Sequence, residues 1–314
     1  MTGVKRVPLG GSEASVPNVV LGLMRIADAS DDEVRALVRA ARDAGIDFFD
    51  HADIYGPGLH ACERRFAEAL RLTPAERAGI TIQSKAGIVK DGPYYDFSYD
   101  HLVRSVEGSL EALQTDYLDI LLLHRPDPLV EPDEVARAFD HLEQSGKVRA
   151  FGVSNHTPRQ LDLLRASVRQ PIVANQLQLS IVHAPIIAQG VAANRSGLAQ
   201  AITEDGGGIV DYCRVNDITI QAWSPVQSGA DAGVFLGSET YPELNAVIDR
   251  LAAQYDVPPI AIATAWITRH PAGMQVVLGT TTPERVTAAA QGSDLALTRP
   301  EWYELFRAAG HRVP

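Results

Sequence analysis

The chain has 314 residues, with 28 Lys plus Arg against 39 Asp plus Glu and a formal charge of −11. That balance excludes a general binder of nucleic acid or of anionic membrane, since both need clustered positive charge to displace counterions. Hydrophobic residues at 46% and charged residues at 21% exclude a disordered chain and supply a large core, which at this length is one α/β barrel or two smaller domains.

At the start, Met1 to Gly11 carries Lys5 and Arg6 with no apolar run behind them, and Val4 to Val20 reads as a hairpin. The longest apolar runs, such as Ile120 to Leu123, are far shorter than a membrane span. Cys62 and Cys213 lie far apart, in neither a metal nor a disulfide pattern, so a reduced, cytoplasmic protein is expected.

From Val19 onward, short aliphatic or β-branched runs alternate with amphipathic stretches. Strands are expected at Val19 to Gly22, Ile46 to Asp50, Ile80 to Lys85, Leu118 to His124, Ala150 to Ser154, Ala174 to Leu177, Thr219 to Trp223 and Gln275 to Gly279. The first helix opens on a capping box, Ser30-Asp-Asp-Glu33, repeats Val34, Leu37, Val38 and Ala41 on one face, and stops at Gly45. Further helices are expected at Cys62 to Arg71, Tyr99 to Leu113, Pro132 to Ser145, Pro158 to Ala166, Ile209 to Asn216, Glu243 to Tyr255 and Glu284 to Gln291.

Eight strands, each followed by a helix, suit a single (β/α)8 barrel over residues 1–314, with a doubly wound sheet as the alternative. The G-x-G-x-x-G turn that a first dinucleotide-binding strand would carry is absent. Three irregular stretches, Val89 to Phe97, Val182 to Gly208 and Val226 to Thr240, are expected as loops, the Gly206 to Gly208 run being a hinge or turn. The tail from Arg299 to Pro314, with Trp302 and Phe306 at i, i+4, reads as a docking helix.

In a barrel, function gathers where strands end. The second strand runs into Asp50-His-Ala-Asp-Ile-Tyr55-Gly56, the third ends in Ser84-Lys85, the fourth in His124-Arg-Pro and the fifth in Ser154-Asn155. A neighbouring ammonium, Lys85, would stabilise a Tyr55 phenolate, a carboxylate, Asp50, would keep that ammonium protonated, and the His124 imidazole would orient a substrate oxygen. Such a set suits protonating an alkoxide as it forms, the second half of carbonyl reduction by hydride.

Those residues resemble the aldo-keto reductases: Asp50-x-x-x-x-Tyr55-Gly56, Lys85 and His124 match that family's Asp, Tyr, Lys and His in order and context. His51-Ala-Asp-Ile-Tyr-Gly56, His124-Arg-Pro-Asp-Pro-Leu129 and Gly146-Lys-Val-Arg-x-Phe-Gly-Val-Ser-Asn155 look most like its bacterial YdhF-type branch. The resemblance implies an NADPH-dependent reductase of an aldehyde or ketone, with the cofactor extended across the barrel mouth. It places Ser154, Asn155 and Gln176 on the nicotinamide carboxamide, Trp223 against its ring, and Ser224, Val226 and Ser228 along the pyrophosphate. Gly279, Thr280, Thr282 and Arg285 match the segment for the adenosine 2′-phosphate. The first-strand loop, Gly22-Leu-Met24-Arg25, would complete the site, with Arg25 reaching the pyrophosphate.

The chain departs from the family at Gly279, where many members have Lys, at Ala289, where an Asn or Glu stands near the adenine, and at Met24 and Arg25, where a Trp is common. Arg125, Tyr94 and Tyr95 hint at a polar or anionic substrate. The expected partner is a small carbonyl compound and the expected assembly a monomer or small homo-oligomer. Two other readings stay open: a metal-dependent barrel hydrolase using His51, His124 and His156 with Asp50 or Asp53, and a cofactor-sensing subunit without turnover.

Overall fold

The computed structural model describes residues 3–12, 14–193, 200, 207–229 and 233–313. An antiparallel hairpin, β1 (Arg6–Pro8) and β2 (Ser15–Pro17), precedes the first barrel strand, β3 (Val19–Gly22). The chain continues through α1 (Asp31–Asp43), β4 (Phe48–Asp50), α2 (Ala61–Leu70), α3 (Pro74–Ala78) and β5 (Thr81–Ala86). A second hairpin, β6 (Ile88–Val89) and β7 (Tyr94–Tyr95), leads to α4 (Tyr99–Leu113), β8 (Leu118–Leu123), α5 (Pro132–Gln144) and β9 (Val148–Ser154). Then come α6 (Pro158–Arg165), β10 (Ile172–Gln178), α7 (Pro185–Val191), α8 (Ile209–Val215) and β11 (Thr219–Trp223). The last elements are α9 (Pro242–Tyr255), α10 (Pro259–Thr268), β12 (Gln275–Leu278), α11 (Pro283–Ala290) and α12 (Arg299–Ala308).

Eight strands close in the order β10-β11-β12-β3-β4-β5-β8-β9, all in parallel pairs. The doubly wound alternative is therefore excluded. Val19 to Gly22 and Thr219 to Trp223 lie where the sequence places them, and the other six strands differ only at their ends. Ile46, for example, bonds back to the Ala41 carbonyl and joins the turn before β4.

Alternation along each strand sorts its side chains between the barrel interior and the helical shell. Val20, Phe48, Ile120, Leu122 and Val277 form an inner cluster that the hairpin residues Leu9 and Val16 close from below. The opposite faces, among them Val19, Leu21, Phe49, Leu121 and Leu123, join the larger core under the helices. Gly22 lacks room for a side chain: a Cβ there would stand 2.8 Å from the Leu278 carbonyl oxygen of the neighbouring strand.

The Ser30–Glu33 capping box forms at α1 with both reciprocal bonds. α12 docks as expected, Trp302 stacking on Trp266 and Phe306. Three helices and one hairpin were not foreseen: α3, α7 within the stretch expected to be irregular, α10, and β6–β7. α10 is apolar all round, with Ala261 to Ile267 buried, so it offers no periodic contrast. In the expected loops, Gly206, residues 194–199, 201–205 and 230–232 lie outside the described residues, as do Met1 and Pro314.

Candidate active site

The same alternation puts one functional side chain at the top of three neighbouring strands, β4, β5 and β8, and another at the top of β11 across the mouth. Asp50 is two residues beyond Phe48, Lys85 two beyond Gln83, His124 two beyond Leu122 and Trp223 two beyond Gln221, so each follows an inward-facing side chain to the mouth. Tyr55 comes from the loop after β4. Its neighbour Gly56 holds φ +93°, where a Cβ would approach those of Ala27 and Ala61 to 3.0 Å. Only glycine makes this turn without strain.

Lys85 Nζ donates to both oxygens of Asp50 at 2.7 Å, to the His51 carbonyl at 2.7 Å and to the Tyr55 hydroxyl oxygen at 3.0 Å. The ion pair is fully shielded from solvent. Burial is the largest effect and works against the Lys85 charge, but Asp50 and Tyr55 together outweigh it and hold the ammonium above its ordinary range. For Tyr55, burial is the largest effect and raises its pKa, with Lys85 opposing it. The net direction is thus opposite to the lowering expected from the ammonium alone, because a desolvated phenolate is costlier than one ammonium repays.

His124 meets the Tyr55 ring edge-on, centroids 5.9 Å apart. Burial, then the charges of Lys85 and Arg125, push it well below its ordinary pKa, so it is a neutral imidazole. Its Nδ1 is buried with no hydrogen-bond partner among the described residues.

Beneath the tetrad lies a polar layer that sequence reasoning missed. Gln83 and Gln176 donate to Asp50 Oδ1 at 2.6 and 3.0 Å. Gln83 and Gln221 exchange amide bonds of 2.9 and 3.1 Å, Gln221 donates to Gln275 Oε1 at 3.0 Å, and Gln275 donates to the Pro17 carbonyl at 2.6 Å. A chain of amides therefore runs from the carboxylate through the barrel axis to the hairpin. The signal in the sequence is a Gln at an inward position of each of four strands, of which only Gln176 was expected to have a role, at the nicotinamide carboxamide.

A second missed cluster sits outside the wall, under α2 and α4. Glu63 accepts from Ser84 Oγ at 2.5 Å and lies 2.6 Å from His60 Nδ1. Burial raises the Glu63 carboxyl, but the bonds from His60 and Ser84 bring it below its ordinary value. Asp53 is buried beside Glu63, and burial pushes it up to about 7. His51 packs edge-on to Phe66 with both ring nitrogens buried and unpartnered among the described residues, and burial takes it down to about 4.

The hydrolase reading needed His51, His124 and His156 together. His156 is instead stacked on Phe97 with Nδ1 3.0 Å from the Ser154 carbonyl oxygen. Among the described residues no three His, Cys, Asp or Glu side chains are grouped to hold a metal ion.

The residues expected at the cofactor follow five consecutive strands of the barrel order, β9-β10-β11-β12-β3, and so line one continuous arc. Ser154 Oγ donates to the Gln176 carbonyl and accepts from Asn155 Nδ2, while Trp223 Nε1 donates to Asn155 Oδ1 at 3.2 Å. Asn155 and Ser224 both adopt positive φ, 59° and 53°, a strain that such sites commonly carry. Ser224 bonds Gln227 Oε1, Val226 and Ser228 are half-buried behind it, and Thr280 Oγ1 accepts from the Thr282 amide. Arg25 donates to the Gly279 carbonyl at 3.0 Å, Met24 is exposed, and Arg285 stands exposed in the first turn of α11. Gln176 is the exception: its amide nitrogen is turned inward to Asp50 and Gln221.

Residues 18–308 match the model of the aldo/keto reductase family. The chain belongs to that family. It is 34% identical to the oxidoreductase YdhF of Escherichia coli over 99% of this chain and all of the relative. It is 33% identical to a 6-dehydroglucose reductase of Agrobacterium fabrum over 98% of each chain. The solved structure of the thermostable aldo-keto reductase Tm1743 shares the fold, with a TM-score of 0.77 over 97% of this chain at 23% identity. As an aldo-keto reductase, the chain is an NAD(P)H-dependent enzyme of carbonyl reduction. No helix among the described residues is long and apolar enough to cross a membrane.

Proposed function

We propose that the chain, acting as one domain over residues 1–314, is an NADPH-dependent reductase of small, polar aldehydes or ketones in which Tyr55 is the general acid. The observation that carries this reading is the continuous chain Asp50–Lys85–Tyr55, 2.7 and 3.0 Å between polar atoms. When bound between Trp223 and the substrate, a reduced nicotinamide would supply the hydride for the carbonyl carbon. Tyr55 Oη delivers the proton to the carbonyl oxygen, Lys85 stabilises the phenolate left behind, and Asp50 keeps Lys85 charged. Neutral His124, at the edge of the Tyr55 ring, donates a hydrogen bond to the same oxygen without competing as an acid.

The arc from Ser154 to Arg25 supports the binding mode. Ser154 and Asn155 hold the carboxamide, and Gln176 takes part through its oxygen because its amide nitrogen is committed to Asp50. Trp223 stands against the nicotinamide ring, Ser224, Val226, Ser228 and Arg25 follow the pyrophosphate, and Gly22 and Met24 shape the adjoining wall. Gly279, Thr280 and Thr282 lead to Arg285, whose exposed guanidinium has no protein acceptor among the described residues and suits a 2′-phosphate. The 6-dehydroglucose reductases among the relatives favour an oxygen-rich substrate. The two buried free thiols are compatible with a cytoplasmic setting, and the assembly is taken as a monomer or small homo-oligomer.

The experiment is aldehyde-dependent oxidation of NADPH followed by absorbance. Steady turnover supports the enzyme, whereas tight NADPH binding with negligible turnover across a carbonyl panel would make the chain a cofactor sensor.

A further inference from the structure

The cations around the mouth are committed to protein acceptors, with one exception on the substrate side. Lys85 is spent on Asp50, Lys90 donates to the Gly56 carbonyl and Arg25 to the Gly279 carbonyl. Arg125 directly follows His124 and makes neither a hydrogen bond nor an ion pair among the described residues. Arg125 is half-buried as a residue, and its guanidinium stands 5.7 Å from the centre of the Trp223 ring and close enough to His124 to depress that imidazole. A guanidinium held over an aromatic face, with no protein acceptor for its donors among the described residues, is available to a ligand that brings one. In a chain of net charge −11, that cation is not part of a general anion-steering field.

We propose that Arg125 is the anchor for an anionic group on the substrate, so that the preferred substrates are carbonyl compounds bearing a carboxylate or phosphate. The position fits the chemistry. The carbonyl oxygen must sit between Tyr55 and His124, and the residue next along the chain from His124 is Arg125, so a substituent a few atoms from the carbonyl carbon comes within its reach. The planar fork matches both oxyanions bidentately, and the Trp223 face limits its orientation. The inference rests on the reductase reading, and it narrows the substrate of that same site.

The test compares butanal with succinic semialdehyde, matched in chain length, and glyceraldehyde with its 3-phosphate, which separates carboxylate from phosphate. The wild-type enzyme should favour the anionic member of at least one pair about tenfold or more in kcat/KM, mostly through KM, as a charge-assisted bond implies. Arg125→Gln should abolish that advantage while sparing the neutral aldehyde and the Kd for NADPH, and Arg125→Lys should keep part of it. Equal efficiency within both pairs overturns the inference and leaves the reductase reading intact. An Arg125→Gln variant that loses NADPH affinity, or loses neutral and anionic substrates alike, overturns it too. Turnover of none of the four would remove both readings.

Discussion

Gln83 donates its amide to Asp50 Oδ1 at 2.6 Å while exchanging two further bonds with Gln221. The carboxylate that balances Lys85 is thereby held from below as well as from its cationic partner. Gln83→Leu removes one donor to Asp50 and leaves the Gln221 amide short of partners, which should destabilise the fold by about 1 to 3 kcal/mol. A drop in kcat smaller than that of any tetrad variant should accompany it. Chemical denaturation and steady-state kinetics on one preparation check both, and an unchanged midpoint would mean that the amide chain carries no stability.

Lys85 acts on Tyr55 by lowering the phenol against the stronger upward push of burial. Lys85→Met should therefore reduce kcat and move the alkaline limb of the residual activity upward, since the phenol loses its cationic neighbour. The pH profile of kcat reads this directly, and an alkaline limb moving down would contradict it.

Asp53 gives a pH dependence of stability. Its folded-state pKa, about 7 against a usual 3.8, means that the folded chain holds a proton that the unfolded chain has released across that window. Stability from this group is present at the acid end and is lost as pH rises through about 7. Asp53→Asn lacks the loss, so its melting temperature relative to wild type should climb between pH 5 and pH 8. His51 and His156, both depressed to about 4, act in the opposite sense below about 6.5 and affect both proteins equally. A constant difference between the two melting curves would show that Asp53 is not protonated in the folded state.

Arg285 is exposed at the start of α11, so its pairing with a 2′-phosphate is partly screened. Arg285→Ala should weaken NADPH by about 1 kcal/mol, roughly fivefold, and leave NADH unchanged. Fluorescence titration with both cofactors measures it, and parallel losses would place the 2′-phosphate elsewhere.

The barrel was legible because period-2 runs and capping residues are local signals: Ser30 with Glu33, or the Val19 to Gly22 run, needs no tertiary partner to be recognised. The tetrad was legible for a related reason, as strand ends place Asp50, Lys85 and His124 at one mouth. What stayed hidden depended on contact across the fold. Gln83, Gln221 and Gln275 look like ordinary polar residues, and Gln176 like a cofactor contact alone, until closure brings four strands round one axis. Asp53 and Glu63 look like ordinary surface carboxylates until α2 and α4 bury them together. α10 escaped for lack of contrast, and α3 although Thr73 and Glu76 form the same reciprocal box as Ser30 and Glu33.

The central claim is that Tyr55, tuned by Lys85, protonates the substrate oxygen. The most direct measurement is single-turnover aldehyde reduction by Tyr55→Phe beside NADPH titration of the same protein, since the substitution keeps the ring against His124 and removes only the hydroxyl. The account predicts an unchanged Kd for NADPH and a rate lower by about two orders of magnitude or more. A folded Tyr55→Phe protein reducing aldehyde at a near-normal rate would contradict it.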